Sequence, residues 1–300
     1  MHIIVSNRHK QNHFAVFGLL FGAISWGVIW YPYRVLNEAG ISGVAASFYT
    51  YSIATVLASL MFWRYRHTML GLPLRAYWLC VVAGWTNLSY VMAVIDGEVM
   101  RVMLLFYLSP IWSLLLAHFW LKEALHRLGF LAVLMSLAGA SIMLIDWSAP
   151  QFPLPQSQAE WLALSSGIGF SLTNVMTRHA TYLSVSAKSM LVWLGVVGMS
   201  LLILPWLPNG FASPHTFTLF EWSVMTLIAL MLIAATVLVQ YGITQIPAVR
   251  ASVLFLFELV IAAIAAYFLA NEAMTWNEWA GGVLIVMAAV ISAKATDTTT

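Results

Sequence analysis

Residues 14–33 carry no charged side chain. Nine more apolar runs follow at 43–63, 76–95, 102–120, 128–145, 161–177, 190–207, 222–246, 251–270 and 276–293, broken by charge only at Glu258 and Glu278. A hydrocarbon layer about 30 Å thick is crossed by about 20 apolar residues in helical conformation. Barrel strands would be about ten residues long and strictly alternating, which these runs are not. The spacing therefore predicts an all-α membrane protein of ten transmembrane helices. Composition agrees, because only 8% of the residues are charged against about 25% in globular domains. Lipid is the expected surrounding partner, and nothing basic enough for nucleic acid is present. The single Cys80 excludes an intramolecular disulfide and reads as a packed thiol.

The gaps between runs carry the orientation. With a cytoplasmic amino terminus, one side receives Arg8, Lys10, Arg64, Arg66, Arg75, Lys122, Arg127, Arg178, Lys188, Arg250 and Lys294, and the other only Arg34 and Arg101. Carboxylates such as Glu38, Asp96, Glu98, Asp146, Glu160 and Glu272 gather on the second side. That is a strong positive-inside bias and predicts that both termini are cytoplasmic. Residues 1–13 form a polar, basic tail, and the first run is too long for a secretory signal. Residues 294–300 form the other tail. Trp63, Trp78, Trp147, Trp161, Trp206, Trp222 and Trp276 fall at run ends, where interfacial aromatic belts are expected.

The chain also echoes itself. A shift of about 149 positions lays Ala270-Asn271-Glu272-Ala273 on Leu121-Lys122-Glu123-Ala124, Arg250 on Arg101 and Phe255 on Phe106. A shift of about 144 aligns Arg34 with Arg178 and Trp26 with Phe170, and the second helices align near Ala46-Ser47 and Lys188-Ser189. Each repeat holds five runs, an odd number, so the second copy enters from the opposite side. Two inverted five-helix repeats are expected, 14–145 and 161–293, joined by an external linker over 146–160 that holds Pro150, Pro153 and Pro155. Inverted repeats recur in secondary transporters, with substrate near the midplane.

Five plus five spans, with Ser109-Pro110 in the fourth and Leu121-Lys122-Glu123 after it, resemble the EamA-like permeases of the drug/metabolite transporter superfamily. Lys122 stands where that family usually has glycine. In the second unit Phe257-Glu258-Leu259-Val260 resembles the family's Glu-Pro-Val, with Leu259 for proline and Asn271 for glycine before Glu272. The resemblance implies a multi-pass carrier of the bacterial inner membrane that exports an amino acid or another small metabolite.

Glu258 is the foremost candidate, since an ionisable group at mid-span costs about 2.5–3.5 kcal/mol to insert. It would couple transport to protons, balance an amine, or hydrogen-bond a neighbouring helix as a protonated acid. Polar residues at helical spacing give further candidates: Thr236, Gln240 and Thr244 in one stripe, Asn87 with Tyr90, and Ser166 with Asn174. Each either lines a cavity or bonds packed helices together. Among aromatics, Trp26, Trp30, Tyr33, Trp85, Tyr107 and Tyr241 fall at cavity depth, where rings would suit flat substrates or hold a cation. Gly18 and Gly22, and Ala262 and Ala266, permit close helix approach, and Pro32, Pro110 and Pro247 are candidate hinges.

No HExxH, GxSxG or P-loop occurs, so no enzyme activity, metal or cofactor is expected. The leading reading is a secondary carrier working by alternating access, with Glu258, Trp26, Asn87, Tyr90, Tyr107, Asn174, Gln240 and Tyr241 at the substrate or coupling site and protons as a candidate coupling ion. A multidrug exporter of hydrophobic cations and a non-transporting membrane assembly protein are the alternatives. Monomer and homodimer are both compatible with the sequence.

Overall fold

A computed structural model describes residues 2–63, 72–97, 99–123, 127–145, 155–207, 213–269 and 274–294, the side chains of 2–11, 95, 99, 100, 293 and 294 excepted. Most of the 146–160 linker, Arg64, Arg66, Glu98, Ala124, His126, Trp147, Asn271 and Glu272 lie outside the described residues, as do the side chains of Arg8, Lys10 and Lys294.

Helix starts are written locally in the sequence. The Ala45, Glu160 and Ala187 N–H groups donate to the hydroxyls of Ser42, Ser157 and Ser184 at 3.3, 3.2 and 3.2 Å. Thr218 and Glu221 form a reciprocal capping box. The helices are α1 (His2–Glu38), α2 (Gly43–Met61), α3 (Tyr77–Asp96), α4 (Val99–Phe106), α5 (Ser109–Leu116), α6 (Arg127–Leu144), α7 (Gln158–His179), α8 (Val185–Ile203), α9 (Leu219–Gln245), α10 (Ala248–Phe255), α11 (Phe257–Leu269) and α12 (Trp276–Lys294). Among the described residues there is no strand.

Among the described residues eight segments are long and apolar enough to cross a membrane: seven within or around α1, α2, α3, α6, α8, α9 and the pair α10–α11, and one spanning α4–α5. The expected ten include two that do not meet that measure. In α12 the apolar stretch Trp276–Ser292 is short. In α7 the buried Ser166, Ser171, Thr173, Asn174 and Thr177 lower the hydropathy. Those side chains face protein, because α7 packs against α3, α4 and α5, and a helix sheathed by protein need not be apolar.

Two runs expected as single helices are broken. The run 102–120 divides at Tyr107–Leu108 and the run 251–270 at Leu256. Pro110 sits in the first turn of α5, where its missing N–H costs nothing. The second break has no proline, yet it falls at the equivalent place. There Leu256 donates to the Val253 carbonyl at 3.2 Å and Leu259 to the Leu256 carbonyl at 3.1 Å, tight turns that replace helical bonds. After α5 a wide turn at Ala117–Leu121 ends on Lys122, whose φ is 54°. This left-handed backbone is favoured by glycine, and here a lysine adopts it.

Packing repeats with the sequence. Contacts α3–α7, α4–α7, α5–α7 and α3–α8 recur as α9–α1, α10–α1, α11–α1 and α9–α2, while α2 packs on α8 and α6 on α12. Backbones nearly touch at two crossings. A Cβ on Gly195 would lie 2.0 Å from the Cys80 carbonyl oxygen, and one on Gly281 2.4 Å from that of Gly139. Gly18 and Gly22 similarly admit Leu238 and Val239 of α9. Trp63, Trp78, Trp161, Trp206 and Trp276 are exposed at segment ends. Trp222, expected among them, is instead partly buried, edge-on to Phe217 at 5.5 Å and Tyr49 at 6.0 Å.

A methyl at Gly195 must push α3 and α8 apart, so Gly195→Ala is expected to cost about 1–3 kcal/mol. Gly198→Ala on the same helix meets nothing within 4 Å and is expected to stay within about 1 kcal/mol of the parent. Thermal unfolding of both variants in one detergent checks the pair.

Candidate functional site

The two helix breaks bring groups from both repeats together. Glu258 stands in the first turn of α11 and Tyr107 at the equivalent break beside α4. Tyr107, and Tyr90 of α3, lie within electrostatic range of the Glu258 carboxyl. A phenol and a carboxyl this close can share a proton, or each can turn to a ligand amine or hydroxyl.

A chain of rings leads away from them. Tyr90 meets Phe106 at 4.8 Å, Phe106 meets Phe170 at 5.5 Å, Phe170 meets Phe255 at 5.1 Å, and Phe255 meets Trp26 at 5.6 Å. Sequence reasoning placed Tyr90, Tyr107, Trp26 and Glu258 among the candidates but not the three phenylalanines that connect them. The signal was present, because Phe106 and Phe255, and Trp26 and Phe170, fall on each other under the repeat shifts. The equivalent backbones differ: the Ser171 hydroxyl donates to the Ser109 carbonyl at 2.7 Å, whereas Gly27 lets the Glu258 carbonyl approach to 2.8 Å of where a Cβ would stand.

The other candidates are spread out. Asn87 donates to the Tyr51 hydroxyl at 3.2 Å, and its own carbonyl oxygen has no hydrogen-bond partner among the described residues. Asn174 Nδ2 and Gln240 Oε1 are likewise buried without one. Tyr241 packs on Phe14 at 5.4 Å, at the start of the first apolar run, and Trp85 is exposed. Within the polar stripe of α9, Thr236 accepts from Trp193 Nε1 at 3.2 Å and Thr244 from Lys188 Nζ at 3.0 Å. The Ser166 hydroxyl donates to the Thr86 carbonyl at 2.7 Å. These three bond helices together. An apolar groove bounded by Tyr49, Ser52, Ile53, Val56, Leu57 and Trp222 contains none of the candidates.

Ion pairs that the sequence reading did not join stand nearer the helix ends. Arg101 grips Glu160 with two bonds of 2.9 Å, and the Gln156 N–H adds a third at 2.8 Å. Arg178 donates to Glu123 and, through Nη1, to the Thr244 carbonyl at 3.2 Å. The second oxygen of Glu123 accepts the Ala248 N–H at 3.1 Å, so one carboxylate ties α7 to the start of α10. Arg34, the repeat counterpart of Arg178, pairs with Glu38 in an exposed contact of 3.2 Å. Among the described residues no group of three or more His, Cys, Asp or Glu is placed to hold a metal.

The sequence profile of the EamA-like transporter family matches residues 13–145 and again 157–293. The chain belongs to the EamA-like transporter family. Its two EamA units each carry one of the broken helices, so Tyr107 and Glu258, within electrostatic range of each other, come from different units. A crystal structure of another protein superposes on this EamA chain with a TM-score of 0.76, covering 93% of this chain and 96% of its own at 15% identity. At that identity the likeness is one of fold. No curated protein matches the chain in sequence.

Glu160 stands just outside the apolar run, and the hydrogen bonds from Arg101 hold its carboxyl below the usual carboxylate range. A depressed carboxyl contributes stability above its unfolded pKa and loses it as the pH falls through the folded value. Glu160→Gln is therefore expected to cost about 1–3 kcal/mol at neutral pH. Melting temperatures of the variant and the parent should converge on acidification below the usual carboxylate range; a constant gap down to that pH would contradict the assignment.

Proposed function

We propose that this EamA-family membrane protein is a secondary carrier that exports a small metabolite such as an amino acid, alternating access between two inverted five-helix halves. In this reading ten segments span the bacterial inner membrane, with both termini cytoplasmic. The observation that carries it is the closeness of Tyr107 in one unit to Glu258 in the other, at coincident breaks of their helices, with Tyr90 of the unbroken α3 in electrostatic range. Helices broken within the membrane expose backbone groups where protein lines a cavity, the usual place of a transporter's substrate. Family membership favours a permease over an enzyme or an assembly protein. Glu258 supplies charge or protons, and Tyr107 controls its hydrogen bonding. Trp26 contributes ring surface, while Asn87, Asn174 and Gln240 offer polar atoms that a substrate can satisfy. Tyr241 has the weakest claim, because its ring packs on Phe14.

The ring chain from Tyr90 to Trp26 beside one carboxyl also supports a second reading, export of hydrophobic cations held by ring faces.

Counterflow in liposomes against a mixed pool of labelled amino acids, with and without an imposed pH gradient, separates these readings. The wild type is expected to exchange at least one labelled amino acid and to respond to the gradient. Glu258→Gln should keep exchange and lose that response. Movement of tetraphenylphosphonium by the wild type, abolished in Glu258→Gln, would favour the cation reading, and no movement of any probe would remove the carrier assignment.

A further inference from the structure

Lys188 is fully buried near the start of α8. Its ammonium donates to the Thr244 hydroxyl at 3.0 Å, a neutral partner. The charge acting on it is that of Arg178, a second cation, which is already matched by Glu123. Among the described residues no carboxylate pairs with Lys188. Two cations thus stand against one carboxylate where the end of α7, the start of α8 and the end of α9 meet.

Packing does not account for the ammonium. The repeat counterpart of Lys188 is Ala46, itself fully buried in α2, so the fold builds the equivalent position without a charge. A buried cation lacking a counter-ion is costly. The same region holds further unused polarity: Thr177, beside Arg178, and Ser189, beside Lys188, are fully buried with hydroxyls that have no hydrogen-bond partner among the described residues.

We infer that Lys188 and Arg178 form an anion subsite that receives the carboxylate of a small organic metabolite. This rests on the carrier reading and adds to it a substrate class, one bearing a carboxylate, and a second point of contact away from Glu258. Thr244 holds the ammonium in place while the subsite is empty. Glu123 competes with the arriving carboxylate for Arg178, so binding and release of the α7–α10 tie are linked.

The test uses the full chain in nanodiscs at pH 7 and follows thermal unfolding against rising 4-methylpentanoate, 4-methylpentanamide or inorganic phosphate. The acid is expected to give its half-maximal shift at a concentration at least tenfold below that of the amide or of phosphate. Lys188→Met should melt above the parent without any probe, since the uncompensated charge is gone, and should no longer distinguish acid from amide. Lys188→Arg should retain the distinction. Thr244→Val, which removes the neutral partner together with the hydroxyl's bond to the Gln240 carbonyl within α9, should respond to the acid at lower concentration. Equal responses to acid and amide, equal responses to acid and phosphate, or no response of the wild type to the acid would each overturn the subsite. So would a Lys188→Met variant that folds and still discriminates. Counterflow reads transport and this assay reads binding, so either result can fail without the other.

Discussion

Hydrocarbon offers no hydrogen bonds, and every other feature of this chain follows from how backbone and polar side chains are satisfied without water. Helix starts are closed by Ser42, Ser157, Ser184 and Thr218. The breaks at Tyr107–Leu108 and at Leu256 fall where Tyr107 and Leu256 are buried. At the first break the Ser109 carbonyl is taken up by Ser171 of α7, and at the second the chain tightens into short-range turns. Part of the polarity of α7 follows the same rule, since Ser166 and Ser171 donate to the Thr86 and Ser109 carbonyls of α3 and α5. Close approach replaces the hydrophobic effect as the means of association. It is achieved where glycine meets glycine, at Gly84–Gly195 and Gly139–Gly281.

Duplication explains the frame, and the differences between copies mark the chemistry. Position 109 is serine in one unit and its equivalent is Glu258 in the other; Ser171 answers to Gly27, and Ala46 to Lys188. Each of these positions stands in a helix with either residue. A twofold fold needs neither the carboxyl nor the ammonium, so both charges are additions to it. Their cost in a low-dielectric interior is the physical argument that they serve something other than packing.

Much of this was legible in the sequence, for reasons that can be named. Runs of apolar residues reported helices because length and hydrocarbon thickness are tied together, and the echo of Leu121-Lys122-Glu123 reported duplication because repeats keep their spacing. Glu258, Tyr107, Tyr90 and Trp26 stood out as polar or amphipathic groups in apolar runs. Phe106, Phe170 and Phe255 did not, since a phenylalanine in such a run is unremarkable until a neighbour is known. The break at Leu256 was hidden for a related reason: no proline or glycine marks it, and tertiary packing imposes it. Arg101–Glu160 and Arg178–Glu123 join residues more than fifty positions apart, a pairing that charge counts cannot supply. The same distance in sequence hid the role of Thr236 and Thr244, whose stripe became an interhelical seam only once α8 was set beside α9.

Where the charges were placed follows from desolvation. Arg101–Glu160 and Arg178–Glu123 keep part of their surface in solvent, with side chains between a tenth and a quarter exposed. A pair so placed pays less than one at mid-span, yet each carboxylate is also bonded by a backbone N–H, from Gln156 or from Ala248. These contacts therefore join helix ends through directional bonds rather than through packed area. A tie of a few bonds between ends can break without unpacking the glycine crossings at Gly195 and Gly281, whose close backbone contact resists any separation of α3 from α8 or α6 from α12. The molecule thus divides its interactions by reversibility: apolar, glycine-tight seams where helices must stay together, and charge-assisted bonds where ends meet.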